Sequence, residues 1–375
     1  PRQTNALGYT PVYTYDGANR LVAVADPLGR ITGYAYDGVG NRTVVTDALG
    51  YATSSEYDAL NRLQRTRDPL GNETAFAYDA VGNRTALTDA EGRTTEYGYD
   101  ALNRLESVTD ALGGIVNYGY DAVGNKTVMT DTNDHTTAYS YDALGQLLSV
   151  TDPLSHTTSY TYDPAGNQAT KLDPKGQTLS YSYDALNRLT QTLYPEGPVT
   201  LAYDAVGNRT AMTDTAGTTN YTYDDLDRMT AVTAPGGQVL GYTYDALGRR
   251  IGLTYPDSRT VGYAYDAAGQ LETVSDWAGR VVTYTYDAAG QLLGTTYPNG
   301  TGAAYTYDAA GRLLQLANIG PEGLLSRYTY TLDRVGNRVQ AVEEDRGSPP
   351  TALEISLTPG WNLVAVPLIQ ANPEI

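Results

Sequence analysis

The 375 residues carry a net charge of −18, no cysteine, and 34 tyrosines against one phenylalanine and two tryptophans. That charge argues against nucleic acid, whose binding needs clustered Lys and Arg, and against an anionic membrane surface. Without cysteine there is no disulfide frame and no thiolate metal site, and no run approaches the roughly 18 apolar residues of a membrane helix.

The chain starts at Pro1, inside a repeat and without Met, so it reads as a processed or excerpted piece of a longer protein. Residues 1–14 form a partial unit, in which Asn5-Ala6-Leu7-Gly8 resembles a turn that recurs later. Tyr13 and Tyr15 stand two apart, on one face of an expected strand. From Tyr15-Asp16 to Tyr307-Asp308 the dipeptide Tyr-Asp recurs fifteen times, 21 residues apart except for two steps of 20, at 183–203 and 203–223. A worn copy follows at Leu332-Asp333. Self-similarity at a fixed period of this size is the signature of a repeat architecture.

The unit is clearest at 79–110. Asp79-Ala80-Val81-Gly82-Asn83-Arg84 reads as a turn and Thr85–Thr88 as a strand. Asp89-Ala90-Glu91-Gly92-Arg93 is a second turn, and Thr94–Tyr99 the return strand. Each unit is therefore a hairpin running into the next. The second turn keeps its own frame, from Asp26-Pro27 to Asp173-Pro174, and later becomes Tyr-Pro at 194, 255 and 297. A weaker 42-residue superperiod alternates Leu-Asn-Arg turns (59–63, 101–105, 185–189) with Val-Gly-Asn turns (81–84, 123–126, 206–209). From Asp245 the turns become Ala-Leu-Gly-Arg and Ala-Ala-Gly-Gln/Arg. The alternation reads as duplication history, or as hairpins facing different neighbours.

The expected domains are a β-hairpin array over 1–340, a charged and Pro-rich linker over 341–352, and a C-terminal strand segment over 353–375. Trp361, Leu363, Val364, Val366 and Leu368 lie in the most apolar strand of the chain. With Tyr13 and Tyr15 they are the candidate assembly residues. An apolar strand of this kind caps its own array, pairs with the first unit of the next molecule, or begins another domain.

The Asp column suits either turn amides or Ca²⁺, and the turn reading is favoured because Ca²⁺ needs several converging carboxylates. The Tyr column reads as a cross-strand ladder before it reads as a sugar platform. His135 and His156, the two histidines, share one repeat position and read as solvated turn residues before a metal pair. The Asn-x-Thr sequons at Asn41, Asn83 and Asn208 arise from the repeat. No nucleophile–base constellation or phosphate-binding Gly loop stands out, so neither an enzymatic activity nor a cofactor is expected.

Tyr-Asp followed by Ala-x-Gly-Asn/Gln/Arg-Arg/Leu resembles the YD-repeat, or RHS-repeat, family over about 330 of the 375 residues. The resemblance implies an all-β fold in which tandem hairpin repeats form a coiled antiparallel strip, a spiral or solenoid. In bacterial RHS toxins, toxin-complex shell proteins and teneurins such strips close into hollow shells. The bacterial shells enclose a toxic C-terminal peptide and carry a core region, in some members with aspartate-dependent self-cleavage. No core motif is recognisable here, because Leu172-Asp173-Pro174-Lys175-Gly176 falls in repeat phase as an ordinary second turn. The 360–368 segment is similar to a strand motif of secreted bacterial surface proteins. The leading expectation is therefore a secreted, cell-surface, non-enzymatic structural protein that assembles head-to-tail with itself into a filament. The alternatives are a segment of a toxin-encapsulating shell and a glycan-binding adhesin.

Overall fold

The structure is a computed structural model that describes residues 7–8, 10–347 and 351–354. Among these residues there are 33 strands and no helix, and the described pairings join strands consecutive in sequence, all antiparallel. The first strands set the pattern: β1 (Val12–Tyr15), β2 (Leu21–Ala25), β3 (Ile31–Tyr36) and β4 (Arg42–Thr46). The chain divides into two compact units, Pro1–Thr283 and Tyr284–Ile375.

Two kinds of turn alternate along the first unit. After β1, Asp16 N–H donates to Arg20 O at 2.9 Å and Asn19 N–H to Asp16 O at 3.0 Å. After β2, Asp26 and Gly29 do the same with Arg30 and Asp26. The fourth turn residue must take a left-handed backbone, and Asn or Gly meets that need, as at Asn19 (φ 61°) and Gly29 (φ 79°). The two 20-residue steps have a local cause. Tyr194 pairs directly with Gly197, and Asp214 with Gly217, so these second turns are two-residue loops with one residue fewer.

Each Tyr-Asp corner carries a β-bulge. Ala35 pairs with Val44 but Tyr36 with Arg42, which leaves Thr43 as the extra residue. Registers place Tyr13, Val24, Thr32, Tyr34 and Val45 on one face, and Ala23, Gly33, Ala35, Val44 and Ser54 on the other. One face is thus rich in tyrosine and branched apolar residues, the other in small residues. Burial is shallow everywhere, because a single-layer strip has no second layer to cover it. Only Thr192, Thr295, Ala317, Gly320, Ser326 and Tyr330 count as buried among the described residues.

The second unit lengthens the hairpins. Leu313–Gly320, Gly323–Leu332 and Arg338–Asp345 are 8, 10 and 8 residues long. Four of the six buried residues, Ala317, Gly320, Ser326 and Tyr330, sit on these longer strands. The ladder runs past residue 340, through Arg338–Asp345, and Thr351–Glu354 pairs with that strand. The segment expected as a linker, 341–352, therefore begins inside a paired strand.

Candidate functional site

The Tyr-Asp corner is built from its aspartate outward. Asp16 Oδ1 accepts the N–H of Ala18 and of Arg20, both at 2.9 Å, and Asp16 Oδ2 accepts Arg20 Nε at 2.8 Å. The second turn copies this geometry at Asp26, whose Oδ1 takes Leu28 and Arg30 N–H at 2.9 Å. Both carboxylate oxygens are thereby engaged within one turn. These bonds favour the charged form, and Asp16, Asp58 and Asp100 are held below the usual carboxylate range, chiefly by the backbone N–H four residues on.

The tyrosine serves the preceding hairpin. The hydroxyls of Tyr36, Tyr78 and Tyr120 donate to Leu21, Leu63 and Leu105 O at 2.8, 2.9 and 2.8 Å. Each acceptor is the strand residue just before a bulge, where the ladder is interrupted. The same bond recurs at Tyr307, on Leu292 O at 2.9 Å.

The 42-residue alternation is a physical one. In Asn-Arg turns the arginine crosses to the next corner: Nη1 of Arg20, Arg62 and Arg104 donates to Asp37, Asp79 and Asp121 O at 2.8, 2.8 and 2.9 Å. The same guanidinium lies over the next tyrosine, 4.8 Å from the Tyr78 ring centre for Arg62. In Val-Gly-Asn turns the link is an amide instead. Asn41 and Asn83 donate to Asn61 and Asn103 Oδ1 at 2.9 and 3.0 Å. In these arginine turns a left-handed Asn, or Asp at 227, accepts the amide of the turn before, so the two kinds alternate. The sequon nitrogens Asn41, Asn83 and Asn208 each hold two such bonds.

Other sequence candidates fall as follows. Tyr13 and Tyr15 lie on β1, whose described partner is β2 alone, and Tyr15 is exposed. Trp361, Leu363, Val364, Val366 and Leu368 lie outside the described residues. His135 and His156 each bond their own turn aspartate, Asp131 and Asp152, through Nδ1 at 3.3 and 3.0 Å. Among the described residues no three His, Asp or Glu side chains converge as a metal site.

One contact joins distant repeats. Arg30 Nη1 donates to Gln270 Oε1 at 2.7 Å, across 240 residues. Arg30 closes a second turn, and Gln270 closes a Tyr-Asp turn. These turn types lie on opposite edges of the strip, so the first unit returns on itself with one edge meeting the other. Leu247, in the Tyr-Asp turn just before the contact, is 38% exposed, while its equivalent Leu226 is 69% exposed. The sequence signal for this contact is the change of turn residues from Asp245 onward, which the repeat alone does not explain.

A second departure from the repeat lies on the second-turn edge. Tyr255 takes the place of the turn aspartate, and Trp277 the place held elsewhere by Pro, Ala or Thr. Their rings meet edge to face, 6.2 Å apart, and Arg259 lies 4.9 Å from the Trp277 ring centre while pairing with Asp257 at 3.1 Å. Together with Pro256 they line an open groove.

The RHS-repeat family model matches residues 15–53, 57–94, 78–115, 99–136, 244–281, 265–301 and 286–323, together more than half of the chain. The chain belongs to the RHS-repeat family. The teneurin YD-shell model matches residues 123–252 of this RHS strip. No curated protein matches it. Among solved structures, TcdB2-TccC3-TEV is similar at TM-score 0.75 and 17% identity, covering 90% of the strip and 22% of that chain. TcdB2-TccC3 is similar at TM-score 0.70 and 15% identity, covering 92% and 26%. The Photorhabdus luminescens Tc holotoxin pore follows at TM-score 0.51 and 16% identity, covering 93% and 26%. At these identities the likeness is one of fold, and the RHS strip spans about a quarter of each of those chains.

Proposed function

We propose that the RHS strip is a non-enzymatic wall segment of an extracellular RHS-type shell, one that coils round an enclosed polypeptide. The observation that carries this reading is the bond from Arg30 to Gln270. A strip whose opposite edges meet is a wall, whereas a flat ribbon leaves both edges free. The 23 strands from Ile31–Tyr36 to Thr260–Tyr265 lie between the two contact points. At about 4.8 Å per strand they make a path of about 110 Å, so one coil is about 35 Å across. That width leaves room inside for an unfolded or partly folded chain. The similarity to Tc toxin-complex chains supports this wall reading, and assembly with other subunits, over a surface filament.

Small-angle scattering from the purified chain tests the wall. The expected profile is that of a hollow coil of the stated width. Arg30→Ala with Gln270→Ala is expected to loosen the coil and enlarge the radius of gyration while leaving the strand signal in circular dichroism intact. A profile of an extended ribbon or a solid rod for the unaltered chain contradicts the reading.

A further inference from the structure

The contact between Arg30 and Gln270 states what fits against a second-turn edge: a Tyr-Asp edge, through a cationic residue four places into one turn and an amide four places into the other. From residue 135 to 280 the same position on the second-turn edge holds His135, His156, Gln177, Gln238, Arg259 and Arg280. Leu154 on that stretch is 76% exposed, against 50% for Leu28 beside the contact, and Tyr255 and Trp277 stand exposed at 38% and 48%. The opposite edge is equally open ahead of residue 245, where Val123, Leu144 and Leu186 protrude at 85%, 84% and 68%. It presents amides four places into its turns, at Asn83, Asn125 and Gln146. The first unit therefore carries two open edges whose chemistry already pairs within it.

The aromatic groove lies on the open second-turn edge. With Tyr255 in place of an aspartate, Arg259 has no carboxylate at the usual position and stacks on the ring of the next turn. An exposed Trp, Tyr and Arg grouped in this way form the kind of cluster that anchors protein interfaces. Its apolar complement on the other edge is the row of protruding Val and Leu side chains.

We propose that the second-turn edge from His135 to Arg280 docks the Tyr-Asp edge of a second copy of this chain, residues 37–228, with Tyr255, Arg259 and Trp277 as its anchor. The two edges differ, so the contact is heterologous and each added copy offers a fresh edge to the next. Copies stack coil upon coil in continuation of the first, whether or not the strip encloses anything.

Two edge variants test this. One carries Arg259→Ala and Trp277→Ala, and the other Leu144→Asp and Leu186→Asp. All four side chains lie on exposed turns, and unchanged thermal melting confirms folding. In sedimentation velocity the unaltered chain is expected to grow beyond a dimer as concentration rises. Each variant alone is expected to self-associate at least about tenfold more weakly, as loss of an anchor requires. Mixed in equal amounts, the two variants are expected to form dimers that grow no further, because one intact edge of each kind remains. An unaltered chain that stays monomeric at every concentration overturns the proposal, and so does a mixture that does not combine. The first result assigns the edge to another strip or a different partner.

Discussion

A tyrosine hydroxyl placed against an interrupted ladder repairs the fault that the bulge creates. Tyr120 donates to Leu105 O, so Tyr120→Phe removes one neutral hydrogen bond and keeps the ring. The expected loss is about 1 kcal/mol, read from the urea midpoint of the transition that includes this hairpin. Tyr15→Phe is the control, because Tyr15 belongs to the first described strand, is exposed, and has no described preceding hairpin to serve. The corner aspartates act in parallel. At Asp16, Asp58 and Asp100 the carboxyl is held below the ordinary range in the folded chain, foremost by the backbone N–H bond from the residue four places on. A depressed folded value contributes stability that is fully present above the unfolded value, about 4, and is lost as pH falls through the folded value. Urea stability is therefore expected to be flat from neutrality down to about pH 4 and to fall below it, with the repeats losing strength together. A decline that begins near pH 6, the histidine range, contradicts this assignment.

At the scale of the hairpin, local chemistry was readable from residues alone. Asp at the turn start, Gly or Asn three places on, and alternating strands between them determine each hairpin without reference to anything distant. The 42-residue alternation was equally visible, but its cause was not. That cause depends on Arg62 reaching a carbonyl one corner away, and on Asn83 finding the side chain of Asn103. Distances between neighbouring corners are properties of the sheet, which spacing in sequence does not state. The alternation has a testable consequence. Deleting residues 58–78 removes an arginine turn and sets the corner at Asp37 beside the corner at Asp79. Gly82 there has no side chain to accept the amide of Asn41, so the junction loses its link. Deleting 58–99 removes twice as much chain but sets Asp37 beside Asp100, where Asn103 accepts again. Hydrogen exchange at the junction is expected to be faster in the shorter deletion than in the longer one. The reverse order rules out the alternating link.

At the scale of the first unit, the contact that turns a ribbon into a coil lay beyond sequence reading. It joins residues 240 apart and arises from twist accumulated over many strands, each adding a small rotation. No local motif encodes such a sum. Its trace survives only as smaller turn residues, such as Ala267 and Ala268, where an edge is covered. The aromatic groove at Tyr255 and Trp277 left a plainer trace, two large residues where the repeat places Asp and Pro, Ala or Thr, yet its neighbours had to be seen in space.

Strands that pair only with their neighbours in sequence also have a mechanical consequence. Once the edge contact between Arg30 and Gln270 is broken, a chain with such order can be drawn out from one end like thread from a bobbin, since the described strands pair only with their neighbours in sequence. Tension applied across the first unit is expected to release it one hairpin after another at low force. Each 21-residue unit would add about 70 Å of length at roughly 3.4 Å per residue. Optical-tweezer traces with regular steps of that size would reveal this order, and a single large rupture would refute it. In the shell proposed above, a wall that yields in small, even instalments would let a threaded polypeptide leave without the whole structure giving way.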